Sequence, residues 1–235
     1  MGERPLPTRE LLRAVIGFTI YLLFVPALLF ISAGTLNWGM AWVYMLLLLI
    51  STLGSRLIAW KRNPDLLYER ARFSSSEGTQ PWDRTLVAIV GLFGPMAMMI
   101  VAGLDRRLSW SSAVPKSGQY LAAILIAIGY GIAVWAMVVN RYFSAVARIQ
   151  QDRDQEVVTE GPYRFVRHPG YAGALLASLA LPFMLDALWA MIPGFGLGIA
   201  LILRTQLEDR MLREELEGYI SYMESTPYRL IPGIW

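Results

Sequence analysis

A chain of 235 residues that is 55% hydrophobic, 17% charged and free of cysteine is too apolar for a soluble domain of its length. It can hold no disulfide, thiolate metal site or catalytic thiol. The net charge of +3 comes without a Lys/Arg cluster interleaved with aromatics, which argues against nucleic acid as a partner, and one histidine, His168, argues against a His-rich metal centre.

Apolar segments run over roughly 11–33, 38–60, 85–104, 118–140, 171–185 and 187–204. Crossing the hydrocarbon core takes about 20 residues, and the first four segments meet that length. The first is too long for a signal-peptide core and lacks a small-residue cleavage site, so it is read as a membrane helix. The fifth is short, contains Pro182 and ends at Asp186, which predicts a tight helical hairpin with the sixth. The expected fold is therefore all-α: a polytopic integral membrane helical bundle of about six hydrophobic segments. One domain is expected over 1–235, with an N-terminal transmembrane bundle to about 140 and a cofactor-binding, catalytic half over about 141–235.

The polar connections carry their own expectations. In the 61–84 loop, Leu66, Leu67 and Tyr68 are expected to dip into the headgroup layer. Beyond 204, Leu207, Met211, Leu212, Leu216 and Tyr219 recur at helical spacing. The prolines of the 226–235 tail keep it extended. Basic residues at 61–84, 141–167 and 204–229 outnumber Arg106, Arg107 and Lys116 on the opposite side. That asymmetry predicts cytoplasmic termini and a cytoplasmic C-terminal half. With no eukaryotic targeting signal visible, a prokaryotic inner membrane is the expected location.

Two polar clusters lie at membrane ends, where ionisable groups are costly and point to a site. One is Gly161-Pro-Tyr-Arg-Phe-Val-Arg-His-Pro-Gly-Tyr-Ala-Gly173. Pro169 disfavours helical geometry at His168 and suits the first turn of a helix. His168 then sits at a helix mouth that attracts anions, flanked by Tyr163 and Tyr171. Gly161, Gly170 and Gly173 allow close backbone approach by a ligand. The plainer alternative is a helix cap with interfacial tyrosines. The other cluster is Arg204, Glu208 and Asp209. Arg204 and Glu208 share one helix face, and the plainer alternative there is a juxtamembrane ion pair.

Asn140-Arg-Tyr-Phe-Ser144, Val157-Val-Thr-Glu-Gly-Pro-Tyr163, Arg167-His-Pro-Gly-Tyr171, Arg204-x-x-x-Glu208-Asp209-x-x-Leu212 and Tyr219-x-x-Tyr222 followed by Arg229-x-x-Pro232 resemble, in order and spacing, the isoprenylcysteine carboxyl methyltransferase family over about 140–235. The resemblance implies a membrane enzyme that uses S-adenosylmethionine and takes a lipophilic small-molecule or lipid substrate from between its helices. It implies that backbone groups of Val157 and Val158 hold the adenine edge. Gly161, Tyr163, His168, Pro169 and Tyr171 would form the rest of the cofactor site, and Arg204 and Glu208 would face the reacting end of the substrate. No metal is implied. The chain departs from the pattern at Gln155, where eukaryotic members commonly carry His.

The chemistry suits methyl transfer. A sulfonium is already activated, so positioning and exclusion of water dominate. A carboxylate acceptor, as in isoprenylcysteine-type O-methylation, needs no base but needs a cation such as Arg204. A phospholipid or other amine acceptor needs a proton acceptor, for which Glu208 is the candidate. An NADPH-dependent sterol-reductase-like enzyme, with a similar Pro-Tyr-Arg-Leu-Ile-Pro ending, and a non-enzymatic scaffold or transporter are the other readings.

Overall fold

A computed structural model describes residues 8–66, 78–111 and 114–235, with side chains from residue 16 onward. Helix α1 spans Thr8–Ala33 and α2 spans Gly39–Arg62. A third membrane-length rod is composite: α3, Pro81–Ala88, a π-helical turn, Ile89–Phe93, and α4, Gly94–Leu108. Helix α5 is Lys116–Val139, α6 is Pro169–Met184, α7 is Met191–Glu215 and α8 is Tyr219–Ser225. Among the described residues there is no strand, and five helical stretches are long and apolar enough to cross a membrane, with Pro169–Met184 as a shorter apolar helix. The protein is a polytopic helical membrane bundle.

The break in the third rod has a covalent cause. Pro95 has no N–H to donate, and the ladder shifts to a wider step in which Gly94 N–H bonds the carbonyl of Ile89. At Gly94 a methyl group would lie 2.4 Å from Leu197 Cδ1, so the rod presses directly on α7 just past the π-turn. The expected hairpin is present. Helix α6 ends at Met184, Asp186 adopts φ 52°, and a short 3-10 turn at Leu188–Ala190 leads into α7. Asp186 Oδ1 accepts from Val114 N at 2.5 Å, and Asp105 accepts from Ser111 and Trp189. These aspartates hold the end of the bundle away from the polar clusters.

Helices α5 and α6 meet backbone to backbone. A Cβ on Gly129 would lie 2.5 Å from Gly173 O, and one on Gly173 would lie 2.3 Å from Gly129 O. Without a hydrophobic drive between helices in lipid, such small-residue contacts supply the packing. Gly173 therefore admits a helix rather than a ligand. Leu66 also departs from expectation: it is fully buried beside Ala59 and Met137 rather than in a headgroup layer. Leu67 and Tyr68 lie outside the described residues. The helix expected beyond 204 is a continuation of α7, which runs unbroken to Glu215.

Candidate active site

Where α5 ends, Asn140 fixes the departing chain. Its Oδ1 accepts from Tyr142 N at 2.8 Å and its Nδ2 donates to Tyr163 Oη at 3.1 Å. Gln150 then closes the loop, donating to Tyr142 O at 2.7 Å, while its own N–H reaches Gln155 Oε1 at 2.7 Å. The loop is thus ordered by side-chain amides. Val157 and Val158 follow in extended chain, half-buried, and their backbone groups make no hydrogen bond to other described residues. Backbone groups in such a setting need partners.

Gly161 starts a short 3-10 turn with φ 58°, a conformation glycine adopts without strain. A Cβ there would lie 2.9 Å from Val139 and 3.1 Å from Trp135 Nε1, so its absence lets the turn seat on α5. Tyr163 is buried, and burial raises its phenol above the ordinary 10.0. His168 is the N-cap of α6 and Pro169 its first residue, as expected.

Asp209 organises the motif that follows. Its carboxylate accepts from Arg167 Nε at 2.7 Å and Nη2 at 3.0 Å, from Tyr219 Oη at 2.9 Å and from Arg229 Nε at 2.9 Å. His168 Nε2 lies 3.2 Å from the same carboxylate, and its ring stacks on Tyr171 with centroids 5.8 Å apart. The tail adds a backbone clasp: Arg167 N–H donates to Tyr228 O and His168 N–H to Arg229 O, both at 2.9 Å. Arg167 Nη1 also donates to Thr226 O. A buried cation satisfied on every side is worth keeping only as a set, since removing one member strands the rest.

Arg204 and Glu208 do not pair with each other. Arg204 turns to Asp83 on α3, donating from Nε at 2.7 Å and Nη2 at 3.1 Å, and Nη2 also reaches Ala145 O at 2.8 Å. Glu208 accepts from Tyr171 Oη at 2.5 Å. The Arg204 guanidinium carbon lies 5.3 Å from the Tyr171 ring centroid, within cation–π range. Asp83 is fully buried and also accepts from Ala147 N at 2.7 Å. Sequence reading passed over it. An acidic residue two positions after Pro81, at the start of an apolar run, was the available signal.

These groups surround one cavity of about 650 Å³. Val157, Val158, Tyr163, His168, Tyr171, Arg204 and Glu208 line it, as do Asn140, Arg167 and Gly170. Gly161 and Pro169 stand behind the wall. At the far end the lining changes to Tyr21, Val87, Ala88, Val90, Gly91 and Leu92. Among the described residues no group of His, Asp or Glu is placed to hold a metal ion.

Residues 118–217 match the phospholipid methyltransferase family. Two proteins from Oryza sativa, subspecies indica and japonica, each named "Probable protein-S-isoprenylcysteine O-methyltransferase", are 36% identical to this chain over 68 residues. That stretch is 28% of the chain and 36% of each relative, so the match spans about a third of their length. The resemblance seen in the motifs between Asn140 and Leu212 is thereby borne out.

Proposed function

We propose that the protein is a membrane methyltransferase that uses S-adenosylmethionine to methylate a lipophilic acceptor, a carboxylate as in isoprenylcysteine-type O-methylation. The observation that carries this reading is that one cavity is lined both by Arg204, Glu208 and His168 and by apolar residues of the third rod. A water-soluble cofactor and an apolar acceptor both fit such a lining. The methyltransferase match over 118–217 supports it over a nicotinamide-dependent reductase or a transporter.

The residues present suit the cofactor. Backbone groups of Val157 and Val158, without a hydrogen bond to other described residues, match the hydrogen-bonding edge of a planar base. Tyr163 offers a face for a cation, and Glu208 adds a negative charge. When bound, the cofactor supplies a methyl group on a positively charged sulfur. The chain's task is to align the acceptor with it and exclude water. Asp83 occupies Nε and Nη2 of Arg204, so an acceptor carboxylate would meet Nη1 rather than a two-point fork.

A second reading, N-methylation of an amine lipid, draws on that same pairing. Asp83 neutralises Arg204, while among the described residues the Tyr171 hydroxyl is the one hydrogen-bond partner of Glu208. The reacting end thus carries a net negative charge that would favour an amine and could accept its proton.

Calorimetry on detergent-solubilised protein tests the proposal. S-adenosylhomocysteine should bind with micromolar affinity or tighter. His168→Ala should weaken it at least tenfold, about 1.4 kcal/mol, because the ring lines the cavity and braces Tyr171. Binding of NADPH instead, or unchanged S-adenosylhomocysteine affinity in a folded variant, would overturn the assignment.

A further inference from the structure

Away from the cavity, α2 and α5 leave a second concavity between them. It is an open groove of about 360 Å³ and shares no lining residue with the cavity. Each helix offers one stripe to it. Ile58, Lys61 and Arg62 come from the last turns of α2, and Gly131, Val134 and Trp135 come from α5. Both sets have the three- and four-residue spacings that put side chains on one helix face. Trp135 Nε1 also lies 3.1 Å from the Cβ position of Gly161, so the groove stands behind the turn that begins there.

The lining combines two cations with apolar side chains and contains no acid. Lys61 and Arg62 are exposed, and among the described residues neither side chain has a hydrogen-bond or ion-pair partner. Asp65, the acid nearest to them in sequence, pairs with neither. Helix α2 is of membrane length and ends at these cations, which places them where hydrocarbon gives way to headgroups. Trp60 and Trp135, both exposed, suit that level. Basic clefts between membrane helices are matched to anionic headgroups. A soluble anion would gain nothing from the apolar lining, and an uncharged lipid nothing from the cations.

We propose that this groove binds one anionic phospholipid of the surrounding bilayer, its phosphate on Lys61 and Arg62 and an acyl chain against Ile58, Val134 and Trp135. The site is independent of the methyltransferase reading, because no residue in it lines the cavity. Charge and shape contribute separately and can be removed separately. A Cβ at Gly131 would meet nothing within 4 Å, so this glycine leaves space in the groove that a leucine would take from the acyl chain.

The test is native mass spectrometry of the full-length protein in detergent, titrated with dioleoylphosphatidylglycerol or dioleoylphosphatidylcholine. One phosphatidylglycerol should bind at least tenfold more tightly than phosphatidylcholine, the scale expected of two cations at a membrane surface. Lys61→Gln with Arg62→Gln should abolish that preference, whereas Lys61→Arg with Arg62→Lys, which keeps the charge, should retain it. Gly131→Leu should weaken the phosphatidylglycerol adduct by a similar factor with both cations in place. Arg106→Gln with Arg107→Gln, at the other end of the bundle, should leave the adduct intact. Equal affinity for the two lipids, or an unchanged preference in the double glutamine variant, would overturn the site. So would an adduct that survives Gly131→Leu, since charge alone would then hold it at the surface. Displacement of the lipid by equimolar glycerol 3-phosphate would mark a soluble-anion site instead and overturn the lipid assignment.

Discussion

Asp83 and Arg204, on the third rod and on α7, are joined by two hydrogen bonds of 2.7 and 3.1 Å across 121 residues of sequence. The pair ties the third rod to α7 beside the cavity. Both side chains are shielded, at 0% and 6% exposure, so neither charge can be left alone cheaply. Asp83→Asn should destabilise the protein by about 3–5 kcal/mol, read as a lowered unfolding midpoint in detergent. Replacing both by apolar residues, Asp83→Leu with Arg204→Met, should recover much of that stability. Arg204→Lys should cost at least tenfold in turnover with little change in cofactor affinity, because an ammonium cannot reproduce the planar contact. Wild-type stability in Asp83→Asn would show that the pair contributes nothing.

Glu208→Gln separates the two acceptor classes. On the carboxylate reading the rate should fall and the shape of its pH profile should persist, since only the Tyr171 contact is altered. A flattened rise of rate with pH would instead identify Glu208 as a base and the acceptor as an amine.

Asp209→Asn should be far more damaging than Arg229→Gln. The first leaves Arg167, whose side chain is 3% exposed, without its counter-charge, at about 3–5 kcal/mol. The second removes a pair whose arginine is 30% exposed, worth up to about 1 kcal/mol. Thermal unfolding of the two variants side by side checks the order, and equal shifts would contradict it.

The basic-residue asymmetry predicts which side the cavity faces. The native chain has no cysteine, so single cysteines can be placed at the exposed positions Glu160 and Lys116. An impermeant maleimide added to intact cells should label the second and spare the first. The reverse pattern would invert the topology.

The membrane segments were legible because each is a long apolar run, and the hairpin because Pro182 and Asp186 interrupt the last two. His168 and Pro169 were legible through proline's local geometry at a helix start. Pairings across the chain were not. Helical spacing places Glu208 one turn from Arg204, but spacing cannot reveal Asp83 or Tyr171, which outcompete that contact. The glycines misled in a similar way: Gly161 and Gly173 accommodate neighbouring side chains and helices, a role that looks the same in sequence as making room for a ligand.

The clasp between residues 167–168 and 228–229 bears on how the protein is made. A chain emerging from the ribosome exposes Arg167 well before Asp209, 42 residues on, or the Thr226 carbonyl, 59 residues on. The apolar helices can insert as they appear, since chains fold N-terminal parts first. The cavity's polar wall must wait. Nascent products stopped before residue 226 would be membrane-inserted yet hold an uncapped arginine at the mouth of α6, a state that quality-control proteases could recognise and that proteolysis of stalled chains would reveal.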